Sequence, residues 1–172
     1  MKRFNKISLG MTLLFASASV LAYDGTVNFN GEIIDNTCRL SLDDGRSLVV
    51  PMGSVNKSSF TGVGSTASTT EFVLTLSECP AGVARVKFDG AGYEGNNDVL
   101  ALSPSANAAT GVAIQLYDQN MERLPLFRAS SAYEMQADID NPLRFYASYI
   151  AMNQNVTPGT ANAVATFTMN YN

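Results

Sequence analysis

The chain has 172 residues, with 11 basic against 15 acidic side chains and a net charge of −4, and it contains no histidine and no tryptophan. Without histidine it lacks the commonest general base and metal ligand and every Ser–His or Cys–His nucleophile pair. The composition therefore argues against an enzyme and predicts no catalytic residue, no metal site and no cofactor. The acidic balance argues against nucleic acid as a partner.

The first predicted element is a cleavable leader that covers residues 1–22. Three basic residues precede an uncharged run of 16 residues, 7–22, which ends in the small residue Ala22. This is the pattern of a secretory signal peptide. The alternative is a membrane anchor, but the run is shorter than the roughly 18 residues that a spanning helix needs. Cleavage before Tyr23 would leave 150 residues, enough for one domain with a sizeable core.

A β-strand is predicted next, over Thr26–Ile34, because apolar and polar residues alternate there. Val27, Phe29, Gly31 and Ile33 share one face of this strand. A glycine within an apolar face often marks a place where another backbone comes close. The alternative is an edge strand of the chain's own sheet with a bulge at Gly31.

Two cysteines, Cys38 and Cys79, follow this strand, and the chain has no others. In an exported chain an even number of cysteines favours a disulfide over catalysis or metal binding. The sequence therefore predicts a Cys38–Cys79 bridge, with two buried free thiols as the alternative.

The central part of the chain reads as short strands separated by turn residues. We predict strands at Arg39–Leu42, Ser47–Met52, Thr70–Leu76, Ala84–Asp89, Val99–Leu102, Val112–Tyr117 and Leu143–Ile150. Ser54–Thr70 is predicted to be an exposed loop or a loosely held edge strand, and Ser131–Gln136 a short helical turn at most. So many short strands in one domain favour a β-sandwich.

Other motifs in this part are interpreted as structural rather than functional. The pair Asp43 and Asp44 has hairpin-turn composition. The pair Asp138 and Asp140 lacks the glycine and distal glutamate of a calcium loop. The glycosylation acceptor pattern at Asn155 is short enough to occur by chance.

The last predicted strand, Ala163–Tyr171, again alternates. Its apolar face consists of Ala163, Ala165, Phe167, Met169 and Tyr171. The sequence ends one residue later, at Asn172, so we expect this strand to leave a sheet edge and part of the core exposed. Something other than the chain's own next strand would have to cover that edge.

Taken together, these segments resemble the pilins of type 1 and related chaperone-usher fimbriae over nearly the whole of residues 23–172. The landmarks are the alternating strand Val27–Ile33 leading to Cys38, the segment Phe72–Leu76 before Cys79, Gly111–Leu116, Phe145-x-Ala147-x-Tyr149, Pro158-Gly159, Ala161–Ala163 and the penultimate aromatic Tyr171. Gly159 is the fourteenth residue from the C-terminus, where the motif of that family has a glycine.

The resemblance implies an immunoglobulin-like β-sandwich that lacks its final strand. It divides the chain into a donor-strand extension at 23–34 and the incomplete domain at 35–172. Gly159 and the apolar face of the last strand would form the acceptor groove. A strand from a periplasmic pilus chaperone would fill this groove first, and the extension of a neighbouring pilin would then replace it.

The function implied by the resemblance is that of a structural subunit, exported through the periplasm and delivered by an outer-membrane usher to a fimbria at the cell surface. There it would polymerise head to tail by donor-strand exchange into a fibre used in adhesion. A minor adaptor or terminator subunit of the same kind of fimbria is the first alternative. A monomeric periplasmic β-sandwich that binds a ligand is the second.

Overall fold

The computed structural model describes residues 27–30, 38–42 and 47–171. The predicted leader at 1–22, the carboxylate pair in the 43–46 turn and Asn172 lie outside the described residues. The chain divides into two compact units, Met1–Ile34 and Asp35–Asn172. All strands of the described residues belong to the second unit.

In its described residues, the second unit contains nine strands and one turn of 3₁₀ helix at Lys57–Ser59. The strands are β1 Arg39–Ser41, β2 Thr66–Ser77, β3 Gly82–Gly90, β4 Gly92–Tyr93, β5 Asn96–Leu100, β6 Val112–Tyr117, β7 Tyr133–Met135, β8 Asn141–Ala151 and β9 Ala165–Tyr171. The described residues contain no α-helix, and the predicted all-β class is confirmed.

The strands form two antiparallel sheets. The larger sheet has the order β1-β2-β8-β6-β5-β4, and the smaller sheet has the order β7-β3-β9. In the larger sheet β2 and β8 pair over most of their length, with Phe72 opposite Phe145. In the smaller sheet Phe88 of β3 lies opposite Phe167 of β9. In β3 and β9 the alternation of apolar residues fixes which face turns to the core.

The core is built on a cluster of phenylalanines from both sheets. The ring centroid of Phe145 lies 5.6 Å from that of Phe72 and 5.1 Å from that of Phe88. Phe145 is completely buried, as is Leu76, and Leu74 and Leu143 are 1% exposed. Replacing Phe145 by alanine should lower the free energy of unfolding by about 3–5 kcal/mol, because the closely packed side chains around it cannot fill the cavity that the ring leaves.

The strand predictions were right for most of the chain, and the structure corrects three of them. β6 has the predicted bounds, and the predicted strands after Cys79 recur as β3, β5, β8 and β9 with ends moved by one to three residues. Residues 47–52 are not in a strand, and the short helical turn predicted at Ser131–Gln136 is wrong because β7 lies there and pairs with β3. Residues 27–30, inside the predicted strand Thr26–Ile34, are not in a strand either. Ser54–Thr70, predicted to be an exposed loop or a loosely held edge strand, contains both: β2 begins at Thr66, and its residues up to Thr70 pair with β8 alone among the described strands.

Neither a membrane-spanning helix nor a metal site is found among the described residues. No helix there is long and apolar enough to cross a membrane. No group of three or more acidic or cysteine side chains in the same residues is placed to hold a metal ion. Asp138 and Asp140 lie in the turn between β7 and β8, where the buried Asn141 side chain accepts from Gln136 N and donates to the carbonyl of Ile139. That arrangement supports a structural role for the turn.

Candidate functional site at the edge of the smaller sheet

β9 is an edge strand of the smaller sheet. It pairs with β3 along its whole length, from Ala165 opposite Gly90 to Tyr171 opposite Ala84. No strand lies on its other side within the described part of the chain. The backbone groups that point away from β3 are therefore placed to pair with a further strand, because an edge strand presents a row of such donors and acceptors.

The inward side chains of β9 are less buried than those of its neighbour β3. Ala84, Val86 and Phe88 on β3 are at most 5% exposed. The facing row on β9, which consists of Ala165, Phe167, Met169 and Tyr171, is only partly buried although it packs on the same core. Burial raises the pKa of the Tyr171 phenol. This row is the predicted apolar face from Ala165 onward, and the described residues leave it only partly covered.

A second partly covered row lies in the extended segment 47–52. Leu48, Val50 and Met52 are half-buried, whereas Val49 between them is 74% exposed. Leu48 and Met52 pack on the same core as the β9 row. The hydroxyl of Ser68 donates to the carbonyl of Met52 at 2.8 Å and holds this end of the segment against β2. Ser68 lies at a bulge in β2 and has a φ of 56°. Ser68 carries no recognisable signal in the sequence, because a serine at a bulge has no pattern of its own.

A disulfide joins Cys38 to Cys79, with Cα atoms 4.4 Å apart and a sequence separation of 41. It closes the end of the sheet where Arg39 of β1 pairs with Ser77 of β2. The loop that it closes includes the segment 47–52. On the chain-entropy model, such a bridge stabilises the fold by about 3–4 kcal/mol.

The predicted donor-strand residues lie in the first unit. Val27 is 77% exposed and Phe29 is 93% exposed. Residues 27–30 are not in a strand. Gly31 and Ile33 lie outside the described residues. Two large apolar side chains this exposed on one short segment are costly to leave in water and are suited to burial against a partner.

The structure places Gly159 and Ala163 before β9 rather than in it. Gly159 lies against the backbone of residues 107–109, and Ala163 is half-buried two residues ahead of the first residue of β9. No sequence pattern identifies the partner segment 107–109. The contact joins two loops about 50 residues apart, and local alternation carries no signal for such a contact.

Comparison with known proteins assigns the whole domain to one family. Residues 27–172 match the model of a family described as fimbrial protein. A type-1 fimbrial protein subunit of Serratia marcescens is 34% identical over 96% of this chain and 97% of its own length. The fimbrial-like protein FimF of Salmonella typhimurium is also 34% identical, over 96% of both chains.

Solved structures agree with this assignment. A type I fimbria protein of Burkholderia pseudomallei is 33% identical and superimposes with a TM-score of 0.61 over 80% of this chain and all of its own. The P pilus rod subunit PapA is 21% identical, with a TM-score of 0.64 over 78% of this chain and 99% of its own, which supports the fold alone. The immunoglobulin-like sandwich expected from the sequence is thereby confirmed.

Proposed function

The chain belongs to the fimbrial protein family and is a structural fimbrial subunit rather than an enzyme, and from that membership we propose that β9 is the edge at which a neighbouring subunit is joined. The observation that carries the proposal is the contrast between the buried inward row of β3 and the partly exposed inward row of β9. An extended segment from another subunit would pair with the free edge of β9 and cover this row.

The segment that fits this edge is residues 27–33 of a second copy or of a relative. Val27, Phe29 and Ile33 would insert into the core, and Gly31 would pass where only a hydrogen has room. Burial of three such side chains contributes about 5–9 kcal/mol. Ordering the segment costs backbone entropy, which the hydrogen bonds of the new ladder offset in part.

A contact of this kind would let subunits add to one another into a fibre. Donor segment and acceptor edge are different surfaces of one subunit, so the contact is heterologous and does not have to close into a ring. Before assembly the same edge would be occupied by a strand from a periplasmic chaperone, since strand addition between chaperone and pilin is a recognised mode of recognition. An outer-membrane usher would then exchange it during export, and the leader at 1–22 and the disulfide both suit that route.

The test is completion of the fold within one chain. We would fuse a flexible linker and a second copy of residues 23–34 after Asn172, which makes insertion intramolecular at an effective concentration of around millimolar. The matched control carries serine in the second copy at the positions equivalent to Val27, Phe29 and Ile33. We expect the intact fusion to be monomeric and to melt at least about 10 °C above the control, since each kcal/mol moves the midpoint by roughly 2–4 °C at this size.

Equal melting temperatures for intact and control fusions would show that β9 needs no added strand. Size-exclusion chromatography of both forms checks that the comparison is between monomers. If the unfused chain is also a monomer with the same midpoint, the domain is complete by itself and the proposal fails.

A further inference from the structure

A second group of contacts, just before β9, ties the two sheets together. Residues 157–162 run beside residues 103–110, and we call these two segments the clasp. Thr160 N donates to Asn107 O at 2.7 Å and Ala109 N donates to Thr160 O at 2.9 Å. Ser103 N donates to Asn162 O at 2.7 Å. The clasp thus joins the segment that enters β9 to the connection between β5 and β6 of the larger sheet.

Side chains reinforce the clasp. The hydroxyls of Thr110 and Thr157 lie 2.8 Å apart, and Thr110 N donates to Thr157 Oγ1 at 3.0 Å. The hydroxyl of Tyr149, on β8 of the larger sheet, donates to Ala161 O at 3.0 Å. The path of the chain is therefore fixed up to Asn162, three residues before β9 begins.

Gly159 lies where the two segments of the clasp are in close contact. A Cβ at this position would lie 2.5 Å from Ala109 N and 2.6 Å from the carbonyl carbon of Ala108, and also against Asn107 O. All three are backbone atoms, so a side chain could not be accommodated by a rotamer change. The φ of Gly159 is not in the left-handed region. The position therefore requires glycine for space rather than for backbone conformation.

β9 depends on this anchor more than an inner strand would. Its only partner among the described strands is β3, so displacement of its first residues is opposed by a single ladder. The anchor at Asn162, three residues upstream, fixes both the position at which β9 begins and the direction of its free edge. The loop contact at Gly159 can thus control an edge that Gly159 does not itself line.

We propose that Gly159 is a positioning residue for the acceptor edge: by letting the clasp close, it holds the start of β9 where an incoming strand can pair with it. This inference rests on the proposed function of β9. It differs from the expectation that Gly159 lines the acceptor groove. It also differs from a direct contact between Gly159, which is exposed on one side, and a partner.

The experiment uses the full-length mature chain and a synthetic peptide of residues 23–34. Hydrogen exchange of the amides of 165–167 and of 169–171 is measured without and with the peptide, together with the rate of peptide dissociation. The variant is Gly159→Ala. The control is Val86→Ala, which opens a cavity in the middle of the smaller sheet and leaves the clasp intact.

For Gly159→Ala we expect exchange at 165–167 to rise at least about tenfold more than at 169–171, already without peptide, and peptide dissociation to accelerate at least about tenfold. For Val86→Ala we expect both ends of β9 to change alike. If Gly159→Ala fails to fold, Thr157→Val decides the question, because it removes the two hydroxyl contacts to Thr110 and keeps the shape. For Thr157→Val we expect exchange at 165–167 to rise about threefold more than at 169–171.

Unchanged exchange and dissociation in Gly159→Ala would overturn the proposal. So would a uniform change like that of Val86→Ala, which would mean loss of stability without positioning. Faster dissociation with normal exchange in the free chain would assign Gly159 to direct contact instead. If the unsubstituted chain does not bind the peptide, the proposed function fails, while the exchange pattern without peptide still tests the clasp.

Discussion

The partial cover of β9 can be tested by comparing two phenylalanines that face each other. Phe88 on β3 is 5% exposed, and its neighbour across the ladder, Phe167 on β9, is partly exposed, with ring centroids 6.3 Å apart. Both positions hold phenylalanine in the same core, and they differ in how far the ring is buried. Each would be replaced by alanine, first in the unfused chain and then in the chain completed by a second copy of residues 23–34.

The structure sets the expected magnitudes. Phe88→Ala should cost about 3–5 kcal/mol in both forms, because its site is enclosed. Phe167→Ala should cost only about 1–3 kcal/mol in the unfused chain, since part of the ring is already in water and an edge strand can relax into the space. In the fusion, where the second copy of residues 23–34 is expected to cover β9, Phe167→Ala should cost nearly as much free energy of unfolding as Phe88→Ala.

The assay is urea unfolding of the six proteins, with the free energy of unfolding extrapolated for each. The decisive quantity is the difference between the cost of Phe167→Ala in the fused and unfused chains, which we expect to be roughly 1–3 kcal/mol. If the cost is the same in both, the inward face of β9 is not covered by the second copy. The reasoning from its exposure would then be wrong.

Three further predictions concern other parts of the molecule. Replacing Cys38 and Cys79 by serine should lower the free energy of unfolding by about 3–4 kcal/mol; an unchanged urea midpoint would contradict this. Gly31→Leu should reduce fibre yield while leaving the melting temperature of the subunit within a few degrees, and normal fibre yield would mean that Gly31 meets no close backbone. Burial raises the pKa of Tyr133, whose hydroxyl donates to Arg144 O at 2.6 Å. The unfolded chain therefore ionises first, so stability should fall as pH rises above about 10, and Tyr133→Phe should flatten that slope in melts taken between pH 8 and 11.

The sequence predicts those elements that local alternation determines. β9, whose residues alternate, begins only two residues later than expected, and β6, which is buried on both faces, is found at its predicted bounds; both strands have partners in their sheets. Residues 47–52 alternate equally well but lie outside the sheets. Alternation reports which face is buried, whereas a strand also needs a neighbour to bond with, and that neighbour is not encoded in the segment itself.

Short elements and contacts between loops cannot be predicted from the sequence for the same reason. β7 has three residues, too few for a period to be recognised, and its pairing with β3 overrides the local preference. The alternating inward row of β9 was predicted by residue, but its degree of cover depends on the strand order. Gly159 was identified through a family motif, yet the backbone against which it packs comes from a loop that no pattern connects to it.

A subunit that leaves one edge of its core for a partner needs its stability elsewhere, and the contacts described above are distributed in that way. The disulfide closes the β1–β2 end of the larger sheet, the Phe72, Phe88 and Phe145 cluster fills the centre, and the clasp holds the entry to β9. None of the three uses the free edge of β9, so each persists whether or not that edge is occupied. On the function proposed for β9, this strand can then exchange partners by breaking one ladder and one apolar row, while the rest of the sandwich keeps its packing.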